Sequence, residues 1–86
     1  MSEILPLTEF ESKVLLALKA EALPIMSLPK TSGMSGSAVY NAVRVLLERR
    51  LVSEERETKL PRRRFIKLTE SGRRVVGLLN QIEQEL

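Results

Sequence analysis

Apolar residues along this chain recur first at helical spacing, then in strand-like alternation, then at helical spacing again. Phe10, Val14, Ala17 and Leu18 lie on one side of a helix, and Leu15 widens the stripe. Thr8, Glu9, Phe10 and Glu11 read as a capping box, with a hydroxyl at the cap and a carboxylate three residues on. The pattern predicts a first helix running to about Glu21 or Ala22, stopped by Pro24, with Phe10 buried. A second, short helix is expected over roughly Ser27 to Ser32, with Ser27 as its cap. Pro29 is tolerated only near its start. Ile25 and Leu28 face inward, and Gly33 supplies a left-handed residue at its end.

A third helix should open near Ser35 or Ser37 and reach about Arg49. At about 14 residues it would be roughly 21 Å long. Val39, Val43, Leu46 and Leu47 fall on one side, and Ala42 lets a neighbour approach. The opposite side shows Ser37, Tyr40, Asn41 and Arg44. Leu51 and Val52 then start one strand, and Ile66 and Leu68 alternate with Phe65 and Lys67 in another. Pro61 marks the turn between them, and a short extra strand is expected near Pro24 to Met26. Thr69 caps a last helix in which Val75, Leu79, Ile82 and Leu86 stand four, three and four residues apart. That is the repeat of a helix-pairing seam, so these four are candidate dimerisation contacts. The order helix, helix, helix, strand, strand, helix is the plan of a winged helix-turn-helix. The expected fold is α+β, mainly α, with a three-helix core, a two- or three-stranded β-wing and a C-terminal helix. Residues 1–86 read as one such domain, with 70–86 as the C-terminal helix and dimerisation element.

The chain has no cysteine and no histidine. Disulfides and nearly every zinc, copper and iron site are thereby removed, and no cofactor is expected. An enzyme is the least favoured class, because there is no Cys or His to activate and no glycine-rich phosphate cradle. The longest apolar run, Val14 to Leu18, is far short of membrane length. The start "MSEILPLTEF" lacks the basic residues and apolar stretch of a signal peptide, so a cytoplasmic protein with no membrane partner is expected. Net charge is only +3, but it is segregated. Residues 1–43 net −1, residues 44–74 hold eleven Lys or Arg against five Glu for a net of +6, and residues 75–86 net −2. Positive charge gathered on the third helix, the hairpin and the start of the last helix has the look of a phosphate footprint.

Candidate contacts follow from that distribution. Ser35, Gly36 and Ser37 open the third helix, where free N–H groups suit a phosphate oxygen; Ser35 also serves as the cap. Ser37, Tyr40, Asn41 and Arg44 are candidate base readers. Arg can grip guanine O6 and N7 with two bonds, and Asn can do the same to adenine N6 and N7. Taken alone, that face would be an ordinary solvated one. Lys59, Arg62, Arg63 and Arg64 are candidate phosphate contacts of the wing, with Arg62 and Arg63 beside Pro61 best placed to reach backbone or minor groove. The plain alternative is solubility or edge-strand protection. Glu54, Glu55 and Glu57 are expected to pair with nearby cations and set the hairpin's shape, and Arg73 and Arg74 to pair with Glu70.

The stretch "SGMSGSAVYNAVRVLLERRLV" resembles the helix-turn-helix of winged-helix transcription regulators of the MarR and PadR type. The matching residues are Gly33, Met34, Ser35, Ser37, Val39, Tyr40, Leu46, Leu51 and Val52. "FIKLTESGRRVV" resembles that family's passage from strand to last helix, through Phe65, Leu68, Thr69, Gly72 and Arg73. The resemblance spans roughly residues 24–76. Arg50 stands where the family usually has a glycine, and a left-handed conformation there would cost about 1 kcal/mol. The resemblance implies a sequence-specific transcription regulator that binds double-stranded DNA as a homodimer. Its recognition helix, about 35–49, would lie in the major groove, and its basic wing, about 54–67, on backbone or minor groove. Occupying a promoter blocks polymerase, which makes repressor the default. The alternative is a winged-helix protein–protein interaction module within a larger complex, without DNA binding. That reading predicts an apolar or acidic recognition surface. Single-strand binding would need stacking aromatics, and the chain has only Phe10, Tyr40 and Phe65. Nothing in the residues identifies a small-molecule effector.

Overall fold

Thr8 sets the start of the first helix as its sequence predicts. The Glu11 N–H donates to the Thr8 hydroxyl at 3.1 Å, and the Thr8 N–H donates to the Glu11 carboxylate at 3.3 Å. The structure, a computed structural model, describes residues 7–85, with side chains described as far as Gln81. The capping box opens α1 (Glu9–Ala17), which ends well before the expected Glu21 or Ala22. The cause is non-local. Leu23 and Pro24 form β1, which pairs antiparallel with β3 (Arg64–Leu68), so the chain must leave the helix and turn after Leu18 to reach the sheet. The buried stripe of α1 runs through Glu11, Val14, Leu15 and Leu18. It is rotated away from Phe10, which is 52% exposed and not buried as expected.

A single 3-10 turn, Ile25–Ser27, leads directly into α2 (Leu28–Ser32). Ser27 therefore already has a helical backbone and makes no side-chain capping bond, contrary to expectation. Gly33 takes the left-handed conformation at φ 76°, and it and Met34 donate their N–H groups to the Pro29 carbonyl. Ser35 then caps α3 (Gly36–Glu48), accepting from the Ala38 N–H at 3.2 Å. At its far end α3 closes with a pair of reversed bonds, Arg50 N–H to Leu47 and Leu51 N–H to Leu46, each at 3.0 Å. This closure requires a left-handed residue at Arg50, whose φ is 61°.

The wing is the hairpin of β2 (Val52–Arg56) and β3, and the sheet order is β1-β3-β2, antiparallel throughout. Val52, Ile66 and Leu68 share the inner face and are buried. Thr69 opens α4 (Glu70–Glu85), accepting from the Gly72 N–H at 3.0 Å. A Cβ on Gly72 would clash with the Leu51 carbonyl, so only glycine lets α4 start this close to the β2 entrance. The core is a single cluster in which Leu15, Leu28, Val39, Leu46 and Ile66 are fully shielded. Val75 lies inside this core at 4% exposure, and Leu79 packs against it. The Ile82 side chain and Leu86 lie outside the described residues. The fold is thus the expected α+β, mainly α, winged helix, with four α-helices and a three-stranded sheet among the described residues. Among the described residues, no helix is long and apolar enough to cross a membrane.

Candidate nucleic-acid interface

The exposed face of α3 is set by the helix's phase. Val39, Ala42, Val43 and Leu46 are buried against the core, which turns Ser37, Tyr40, Asn41 and Arg44 outward together. All four are exposed. The Arg44 guanidinium touches Glu48 only at 3.9 Å, with both side chains about two-thirds exposed, so this pair holds it weakly. Ser35, Gly36 and Ser37 are exposed at the helix start, and a Cβ on Gly36 would meet open space. The start of this 13-residue helix therefore faces outward, with the Ala38 N–H already taken by the Ser35 hydroxyl.

Two grooves flank this face. One, of about 380 Å³, separates α3 from the start of α1 and is lined by Thr8, Phe10, Ser37, Asn41 and Arg44. The other, of about 330 Å³, separates α3 from the wing and is lined by Met26, Tyr40, Arg56, Arg62 and Arg64, among others. Tyr40 thus joins the wing on one side, while Ser37, Asn41 and Arg44 face the α1 side. Phe10, Met26 and Arg56 were not foreseen as surface residues of this region. The polarity pattern alone does not distinguish an exposed Phe10 from a core one.

The three consecutive arginines of the wing have different surroundings. Arg64 makes two bonds to the Glu54 carboxylate, at 3.0 and 2.8 Å. Arg63 makes two to Glu57, both at 3.1 Å, and its backbone N–H donates to the same carboxylate at 3.0 Å. The Arg63 guanidinium also lies over the Phe65 ring, 5.4 Å from its centre. Lys67 pairs with Glu55 at 3.5 Å. The glutamates therefore pair as their positions predict. The bonds to Arg64 hold the Glu54 carboxyl below its usual pKa, and the Arg63 side-chain and backbone bonds do the same for Glu57. Both guanidiniums are held correspondingly more firmly protonated.

Lys59 and Arg62 differ from their neighbours. Both are exposed and neither makes an ion pair among the described residues. They bracket the tip of the wing, where the Arg62 N–H closes a turn on the Lys59 carbonyl at 2.8 Å and Arg62 itself is left-handed at φ 57°. Near the start of α4, Arg74 pairs with Glu70 at 3.4 Å as expected, while Arg73 makes no pair among the described residues. Among the described residues, no cluster of acidic side chains is placed to hold a metal ion.

An exposed polar helix behind a tight turn, beside a basic hairpin, defines a winged helix-turn-helix. Solved structures with this architecture are numerous. They include ZitR of Lactococcus lactis, described as a zinc-responsive MarR family member, at 25% identity and TM-score 0.85, covering 94% of this chain and 56% of that one. The adhesin competence repressor AdcR of Streptococcus pyogenes aligns at 23% identity and TM-score 0.83, covering 92% and 59%. A point mutant of MepR from S. aureus aligns at 27% identity and TM-score 0.82, covering 92% and 60%. The chain has the winged-helix fold of these MarR-family regulators and spans less than two thirds of their length. No protein-family model and no curated protein sequence matches it.

Proposed function

We propose that this chain is a sequence-specific transcription regulator that binds double-stranded DNA. The observation that carries the reading is the joint exposure of Ser37, Tyr40, Asn41 and Arg44 on α3, beside a wing whose tip bears the unpaired Lys59 and Arg62. In this reading α3 enters a major groove, where Asn41 and Arg44 supply the bidentate contacts and Ser37 and Tyr40 the flanking ones. Ser35, Gly36, Lys59 and Arg62 meet phosphates. Arg63 and Arg64 are also positioned for phosphate but would first have to exchange a carboxylate partner. The likeness to MarR-family structures supports a regulator rather than an enzyme, and the cytoplasm is the compartment proposed for it.

The protein works as a homodimer through α4, with Leu79, Ile82 and Leu86 as the seam and Val75 anchoring its root in the core. Blocking polymerase makes it a repressor. The protein-interaction alternative asks for an apolar or acidic α3 face, and this face is polar and cationic. The deciding experiment is duplex binding against salt, followed by selection from a random-sequence pool. A selected site, with binding that weakens steeply as salt rises, is expected. A protein that ignores duplexes even in dilute buffer overturns the proposal.

A further inference from the structure

Leu60 is 83% exposed, more than any other large apolar side chain among the described residues. It sits with Pro61 at the centre of the turn that the Arg62 N–H closes on the Lys59 carbonyl. Just behind the turn the hairpin is pinned. Glu57 donates its N–H to the Arg63 carbonyl at 3.1 Å while its carboxylate accepts three bonds from Arg63. A short apolar point is therefore presented on a fixed neck, with an unpaired cation on each side of it.

Building on the DNA-binding proposal, we infer that Leu60 and Pro61 form an apolar wedge that enters the minor groove flanking the site, while Lys59 and Arg62 straddle the two phosphate walls. Three features support this occupant over a protein one. Pro61 and Arg62 line the same groove as Tyr40, so a duplex seated on α3 is carried past the tip. The flanking charges are positive, and the minor groove concentrates negative potential where it is narrow. Apolar side chains, Leu and Pro among them, are the kind that part a base step there. The wedge gives the protein a preference for flexible pyrimidine–purine steps at a position that α3 never touches.

The natural chain has no tryptophan, so L60W carries a single reporter at the tip. On a duplex selected with the wild-type protein, its emission should be quenched at saturation and shielded from acrylamide. Leu60→Ser should bind that duplex about five- to tenfold more weakly, keep its salt slope, and lose the preference for a flexible step in the flank. Because the side chain is exposed, both variants should melt like the wild type. Full duplex binding by L60W with unchanged, quencher-accessible emission overturns the wedge and leaves the DNA reading standing. Binding and discrimination by Leu60→Ser at wild-type levels overturn the wedge in the same way. A wild-type protein that binds no duplex overturns both.

Discussion

The Thr69 hydroxyl donates a 2.7 Å hydrogen bond to the Arg50 carbonyl, joining the end of α3 to the start of α4. The same oxygen accepts the Gly72 N–H, and the Thr69 N–H reaches the Leu51 carbonyl at 3.1 Å. Helix α3 is thus anchored to the helix proposed for dimerisation through backbone atoms of Arg50 and Leu51.

Arg50 holds the left-handed conformation that this junction needs. A non-glycine residue there costs about 1–2 kcal/mol, and glycine's added freedom in the unfolded chain returns about 0.4–1 kcal/mol of that. Arg50→Gly should therefore stabilise the fold by about 0.5–1 kcal/mol in urea denaturation. A lower midpoint would show that the Arg50 side chain contributes something the backbone argument omits.

Gly72 and Gly77 should respond in opposite ways to alanine. At Gly72 the new methyl meets the Leu51 carbonyl, and relief requires backbone movement, so about 1–3 kcal/mol of stability should be lost. At Gly77 a Cβ meets nothing within 4 Å, and helix propensity alone should add about 0.5–1 kcal/mol. Thermal melts of the two variants, compared directly, check the pair. If Gly77→Ala keeps its melting behaviour at low concentration but lowers it at high concentration, Gly77 serves close approach between subunits.

Local chemistry made much of this architecture legible. Thr8 with Glu11, Gly33 and Ser35 each act within four residues of their own position, and each does what its type suggests. The wing's ion pairs were foreseeable in kind, because three glutamates face a run of cations, but not in partner. Glu54 with Arg64 and Glu57 with Arg63 depend on hairpin register. The early end of α1 and the outward turn of Phe10 were not legible. The first follows from β1 pairing with a strand some forty residues later, a demand that no window around α1 contains, and the second from the phase of the buried stripe through Glu11, Val14, Leu15 and Leu18. The turn at Pro61 was legible, but that it presents Leu60 at 83% exposure depends on the hairpin geometry that closes Arg62 on Lys59.

The wing cations should separate in their salt response. Arg62→Ala should weaken binding to every duplex and reduce the slope of log affinity against log salt by about one. Arg63→Ala should change the slope by less than half as much, since a carboxylate already neutralises that guanidinium. Its main effect should be faster hydrogen exchange at the Glu57 amide. Equal slopes for the two variants would refute the distinction.

Protonation tests the same clasp. Glu54 and Glu57 are held below the ordinary glutamate value by their bonds to Arg64 and Arg63. A carboxylate with a lowered folded-state pKa contributes fully above its unfolded value, and that contribution is lost as pH falls through the folded one. The wing should therefore stay pinned at pH 5 and loosen only in stronger acid. Carbon-detected titration should place both midpoints below the ordinary glutamate value, and Arg63→Ala should return the Glu57 midpoint toward it.

The dimer proposal predicts a concentration-dependent mass. Ile82→Asp combined with Leu86→Asp should give a folded monomer by light scattering. A persistent dimer would move the interface elsewhere on the molecule.

In the proposed DNA-binding role, two of the wing's guanidiniums would arrive at any duplex with an anion already in hand. A phosphate gains little by evicting it, so random sequence should hold the protein loosely and let it go quickly. Most positions on a chromosome are wrong ones, and time spent on them sets how long finding the right one takes. An arginine-rich loop that carries its own carboxylates thus favours rapid search over indiscriminate grip.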